Sequence, residues 1–242
     1  MRLILALLGL SLSLPALAAP PTATLDQGTI RGEWNGDIAV FRGMPFAGDT
    51  GGDNRWRPPT PAPRWEGVRD ATVAGPICPQ SQKPRQGKVA PWLALFEMSE
   101  DCLNLSVYSP ALAPPVKAPV MVWIHGGFAR ISTGSRHDAS EMAARGVVVV
   151  TLNYRLDRLG LFAHPAISAE QPDALLGNYA LMDAQAGLRW VQDNIAAFGG
   201  DPDNVTIFGQ SSGGVAVTAL MGSPLSEGLF HRAIAQSGVM AD

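Results

Sequence analysis

The pentapeptide Gly209-Gln210-Ser211-Ser212-Gly213 lies between the apolar run "VTIF" and the run "GVAVTALM". Together they read as strand, tight turn and helix, the setting in which G-x-S-x-G presents a nucleophilic serine. Ser211 is the candidate catalytic nucleophile. The spacing has a steric reason: a serine on a strained strand-to-helix turn crowds the residues two away against strand and helix, and only glycine lacks the Cβ that collides. The helix that follows aims its first amides and positive dipole end at the same spot. Ser212 offers a backbone N–H there, and its side chain is expected to be incidental. A second amide-rich loop, "WIHGGF" (Trp123 to Phe128), directly follows another apolar strand. Two such loops at strand ends suit acyl transfer, in which main-chain donors stabilise the oxyanion of a tetrahedral intermediate.

A nucleophilic serine also needs a general base and an acid that orients it. Beyond Ser211 the only histidine is His231 and the only acids are Glu227 and Asp242. His231 is expected at an element end. His125 is expected to order its own loop, and His137 and His164 sit in connecting segments before the nucleophile. None is a credible base. The cysteines and scattered histidines show no metal-ligand spacing, so no metal and no cofactor is expected.

The elements that must hold these loops follow from periodicity. "VMVWI" (120–124) and "VVVVTLNY" (147–154) are continuous β-branched runs, expected of strands covered on both faces of a parallel sheet. "DASEMAARG" between them forms a helix ending at Gly146. Leu181, Ala184, Leu188, Val191 and Ile195 recur at helical steps, with Gly199 and Gly200 as caps and Pro202 as a stop. This β-α-β-α-β-α order predicts an α/β fold, a three-layer sandwich around a central, mostly parallel sheet. Before residue 110, "TIRGEW" and "IAVFRGMPF" read as short strands of a hairpin or meander lying over the sheet edge. "NRWRPPTPAPRWEG" is too rich in proline for regular structure. No compositional break divides residues 19–242 into separate domains.

The ends and the charge bound where the protein works. Residues 1–18 open with Arg2, run apolar from Leu3 to Leu14 and reach Ala16 and Ala18, as a cleavable signal peptide does, with cleavage after Ala18 or Ala19. The apolar run is shorter than the roughly 20 residues a membrane-spanning helix needs. The mature chain is therefore expected to be exported, periplasmic or secreted, with no membrane attachment. Cys78 and Cys102 are its only cysteines, and in an oxidising compartment a disulfide is favoured over two buried thiols. With a net charge of -3 there is no basic surface for a polyanion, so nucleic acid is not an expected partner.

The stretches "EDCLNLSVYSP", "VMVWIHGG", "LNYRLDRLG" and "GNYALMDAQAGLRWVQDNIAAFGGDPDNVTIFGQSSGG" resemble the type-B carboxylesterase family, the cholinesterase-like branch of the α/β-hydrolases, with the bacterial para-nitrobenzyl-esterase group most similar. The resemblance runs from about Gly28 to Asp242. It implies hydrolysis of small-molecule carboxylic esters through an acyl-enzyme on Ser211. It implies oxyanion-hole positions at Gly127, Phe128 and Ser212, and it matches Cys78–Cys102 to the family's first disulfide. Two departures stand out. Phe128 occupies a position where the family has glycine or alanine, so its ring is expected to narrow an acyl pocket. Gln210 replaces a frequent glutamate, which removes a charge beside the site.

By the same resemblance this chain corresponds to the N-terminal half of the hydrolase domain, truncated after the nucleophile turn and the next helix and strand. "AIAQSG" is then an uncovered edge strand. The partner expected from this is a separately encoded C-terminal half carrying the triad acid and histidine. A catalytically silent fragment, or a binding protein on the same fold, is the alternative reading.

Overall fold

A computed structural model describes residues 19–81, 90–170 and 177–238. The expected signal peptide, residues 1–18, lies outside the described residues. The strands are β1 (Thr22–Leu25), β2 (Gly28–Arg31), β3 (Glu33–Asn35), β4 (Ile38–Pro45), β5 (Val68–Asp70), β6 (Asn104–Ser109), β7 (Ala118–Ile124), β8 (Val148–Leu152), β9 (Gly200–Gln210) and β10 (Arg232–Gln236). The helices are α1 (Ser140–Ala143), α2 (Asp157–Gly160), α3 (Pro165–Glu170), α4 (Tyr179–Asn194) and α5 (Ser212–Met221).

Among the described residues, seven strands form the central sheet in the order β10-β9-β7-β8-β6-β4-β3. The half from β10 to β8 is parallel, and β6, β4 and β3 continue it antiparallel. The two candidate loops follow strands of the parallel half, where every strand ends on the same rim. The N-terminal meander differs from its expected place: β3 and β4 extend the sheet itself. Only β1, β2 and β5 form a separate small sheet. Residues 104–109 are buried throughout, which lets β6 join the meander to the parallel half.

Strand alternation assigns the two faces. Val148, Val150 and Leu152 pack with Leu188 and Val191 of α4 and Val217 and Leu220 of α5 in the main core. Val149, one residue out of step, packs with Tyr108 and with Ala143 of α1 on the opposite face. The 16-residue α4 continues as a 3-10 turn over Ile195–Phe198 and stops at Gly199, whose φ of 77° is the left-handed cap expected there. Strand β10 is the sheet's last strand among the described residues and is largely exposed.

Candidate active site

Strands β7 and β9 are parallel neighbours in register, with Ile124 opposite Gly209. The loops that follow therefore leave the same rim side by side. Their backbones touch: a Cβ added to Gly126 would stand 2.4 Å from the Gln210 carbonyl oxygen and 3.3 Å from the Ser211 Cβ. Nothing larger than glycine fits at 126 without moving the serine.

Ser211 is the N-cap of α5 with φ 57° and ψ -126°, a region that L-residues rarely adopt and that costs about 1–3 kcal/mol. Its neighbours hold it there. The Ser211 amide donates to the Gln236 carbonyl at 2.8 Å, and the Ser211 carbonyl accepts from Val215 at 3.0 Å. The two motif glycines behave as their spacing predicts. A Cβ on Gly209 would meet the Gly213 oxygen at 2.5 Å, and one on Gly213 the Ile124 oxygen at 2.1 Å. Ser211 is half-buried, and Ser212, first residue of the helix, has an amide with no intrahelical acceptor.

The facing loop is strained as well. Gly127 has φ 116°, while Phe128, Ala129 and Ser132 hold φ values of 60°, 54° and 102° without being glycine. Fixed neighbours maintain this shape. The Ala129 amide donates to Ser212 Oγ at 3.0 Å, and its carbonyl accepts from the Asp157 amide at 2.7 Å. The Ser212 side chain, expected to be incidental, thus ties the two loops together. Gln80 pairs with both halves of the Ser132 peptide, accepting from its N–H at 2.7 Å and donating to its C=O at 3.0 Å. Asn153 accepts from Thr133 Oγ1 at 2.7 Å and from the Gly134 amide at 2.9 Å.

His125 orders the start of this loop, as expected. Its ring is buried and stacks on Tyr154 at 4.3 Å, and Tyr154 Oη donates to the His125 carbonyl at 2.6 Å. Nδ1 lies 2.9 Å from the Gly126 carbonyl, an acceptor only, so Nδ1 carries the proton. Among the described residues, Nε2 is buried without a polar partner. Burial pushes the imidazole pKa down to about 4, so the ring is neutral at neutral pH. Burial likewise raises the Tyr154 hydroxyl, which stays a donor.

The other histidines lie elsewhere. His231 accepts from the Val205 amide through Nδ1 at 3.1 Å. Val205 is six residues before Ser211 on a strand rising about 3.3 Å per residue, which puts the two roughly 20 Å apart. His137 packs against Trp123 on the opposite sheet face, and His164 against Phe162. Among the described residues, no histidine side chain is hydrogen-bonded to Ser211.

Two features were not foreseen from the sequence. One is a buried ion pair: Arg155 Nε and Nη2 donate to Asp183 at 2.8 and 2.7 Å, and the Arg155 amide adds a third bond at 2.9 Å. It locks the segment after β8, including Asp157, onto α4. The other is an apolar cavity of about 180 Å³ between α4 and α5, walled by Ala129, Tyr154, Ala184, Ser212, Val215 and Ala219 among others. Phe128 is not part of its wall. Phe128 stands 66% exposed.

A disulfide joins Cys78 and Cys102, as expected. The carboxylesterase family model matches residues 19–242. The chain belongs to the carboxylesterase family. Among the relatives of this carboxylesterase-family chain, the fumonisin B1 esterase of Sphingopyxis macrogoltabida is 46% identical over 85% of this chain and 38% of its own length. The para-nitrobenzyl esterase of Bacillus subtilis (strain 168) is 44% identical over 89% of this chain and 43% of its own length. The solved structure of a thermophilic PNB esterase superposes with a TM-score of 0.82 at 41% identity, covering 91% of this chain and 45% of that one. The carboxylesterase-family chain therefore spans about two fifths of the length of the curated relatives it matches.

Proposed function

We propose that this chain supplies the nucleophile and the oxyanion donors of a carboxylic ester hydrolase. In this reading Ser211 Oγ attacks the ester carbonyl as its proton passes to a general base, the base returns that proton to the departing alcohol, and water then hydrolyses the acyl-enzyme to free the acid. The backbone amides of Gly127, Phe128 and Ser212 receive the negative charge that forms on the carbonyl oxygen. The observation that carries this reading is the close contact of two strained loops, Ser211 at φ 57° against the backbone of Gly126. An ordinary strand-to-helix connection has no need of either strain.

The substrate class is a small carboxylic ester. The general base and its orienting acid come from polypeptide beyond these 242 residues, continuous with them or separately encoded. The positions of His125, His137, His164 and His231 support this division. We further infer that residues 1–18 direct export and that the mature chain works in a periplasmic or secreted setting, where the disulfide is stable.

A fluorophosphonate probe tests the proposal, because it transfers phosphorus to an activated serine with loss of fluoride. Labelling of Ser211 is expected when the chain is co-expressed with the C-terminal half of a para-nitrobenzyl esterase, and Ser211→Ala abolishes it. An intact chain that stays unlabelled in that pairing supports instead a silent protein using the fold for binding.

A further inference from the structure

Both cysteines of the disulfide lead, by separate routes, to one end of the oxyanion loop. From Cys78 the route is short. Gln80, two residues on, donates from Nε2 to the Cys78 carbonyl at 3.1 Å and to the Ser132 carbonyl at 3.0 Å, while Oε1 accepts from the Ser132 amide at 2.7 Å. From Cys102 the route passes through Asn153. That side chain donates to the Cys102 carbonyl at 3.3 Å and accepts from Thr133 Oγ1 and the Gly134 amide. The loop's other end, at Ala129, is held by Ser212 and Asp157.

The loop needs both holds. Between them the Arg130 and Ile131 amides close a turn on the Gly127 carbonyl at 3.0 and 3.1 Å. Phe128, Ala129 and Ser132 all keep left-handed backbones that a free loop of these residues would abandon. Gln80 acts on Ser132 as a neighbouring β-strand would, pairing with its N–H and its C=O together. An amide side chain is the shortest group offering a donor and an acceptor in that arrangement.

We propose that Gln80 is a positioning residue for the oxyanion hole, and that the Cys78–Cys102 disulfide is the anchor from which it works. The inference rests on the hydrolase reading above, since a loop with no oxyanion to bind gains nothing from this clamp. Gln80 itself touches no substrate in this scheme. It acts through Ser132 on the amides of Gly127 and Phe128. Reduction of the disulfide releases both routes and disorders the loop while Ser211 keeps its own hydrogen bonds.

The test measures amide exchange and serine reactivity on the full chain, with reactivity read in the co-expressed pairing. Gln80→Ala is expected to speed exchange of the Arg130 and Ile131 amides about tenfold, although both of these donate to Gly127 and not to Gln80, and to leave α4 unchanged. It should slow fluorophosphonate labelling of Ser211 by about tenfold, the size of a displaced rather than deleted oxyanion donor. Gln80→Glu keeps the acceptor and loses the donor, so it should fall between and serves if the alanine variant misfolds. Cys78→Ser with Cys102→Ser should reproduce the loop exchange. Unchanged exchange at Arg130 and Ile131, or faster exchange with unaltered labelling, overturns the proposal. An unlabelled wild type instead sinks the hydrolase reading.

Discussion

Ser212 Oγ accepts the Ala129 amide at 3.0 Å, so one residue serves both loops of the site: its main chain begins α5 and its side chain holds the facing loop. The bond spans 83 residues of sequence and links a strained turn to a strained loop. Neither loop fixes its own shape by local propensity. Each is set by the other and by the strands that end beneath them.

Ser212→Ala tests that link, because it keeps the Ser212 amide and deletes the acceptor of Ala129. The partly buried Ala129 N–H is left without its partner, at a cost of about 1–2 kcal/mol. The urea midpoint is expected to fall accordingly, with an unchanged m-value. Labelling of Ser211 should slow as well, since the facing loop loses one of its holds. A variant as stable as wild type and as fast to label would show the hydroxyl to be incidental.

The Arg155–Asp183 pair carries the largest expected loss. Both side chains are almost wholly buried and share three hydrogen bonds. Asp183→Asn leaves an uncompensated guanidinium in the core and should cost about 3–5 kcal/mol. Replacing both partners, Arg155→Met with Asp183→Leu, removes the stranded charge and should restore much of that loss. Equal destabilisation by the single and double variants would contradict the account.

His125 gives the fold a pH dependence with a definite sign. Its pKa lies near 6.5 in the unfolded chain and about 4 in the folded one, lowered by burial. Between these values the unfolded state binds a proton that the folded state does not, so stability falls as pH drops from about 6.5 to 4. Integrated over that window, the loss is about 3 kcal/mol. His125→Gln cannot take up that proton. The measurement is the difference in unfolding free energy between pH 7 and pH 4, which should be about 3 kcal/mol smaller in the variant. Parallel pH curves for the two proteins would refute the assignment.

What could be read from the sequence depended on the range over which each feature is decided. The apolar runs around Val122 and Val150 and the helical spacing from Leu181 to Ile195 act over neighbouring residues, and they gave the sheet, α4 and the site rim. The motif glycines were legible because a Cβ at 209 or 213 collides with backbone whatever surrounds it. Contacts between distant segments were not legible. Nothing local in "CPQ" announces that Gln80 will pair with Ser132, nor in "NYRLD" that Arg155 will meet Asp183. The meander's place in the sheet is illegible locally for a similar reason: β4 joins the sheet by pairing with β6, far along the chain.

The strain at Ser211 predicts a conflict between stability and chemistry. At φ 57° and ψ -126° a Cβ is disfavoured, and alanine suffers there as serine does. Ser211→Ala should therefore leave the unfolding free energy nearly unchanged while removing all labelling. Ser211→Gly removes the Cβ and releases about 1–3 kcal/mol of strain, partly offset by the added freedom of glycine in the unfolded chain, about 0.5–1 kcal/mol. The glycine variant should end about 1 kcal/mol more stable than wild type, read as a raised urea midpoint at constant m-value. On the proposed hydrolase reading, greater stability without the Ser211 side chain is what selection for activity at a strained position leaves behind. If the glycine variant is no more stable than the alanine variant, the turn is not strained, and the case for Ser211 as a presented nucleophile loses its physical basis.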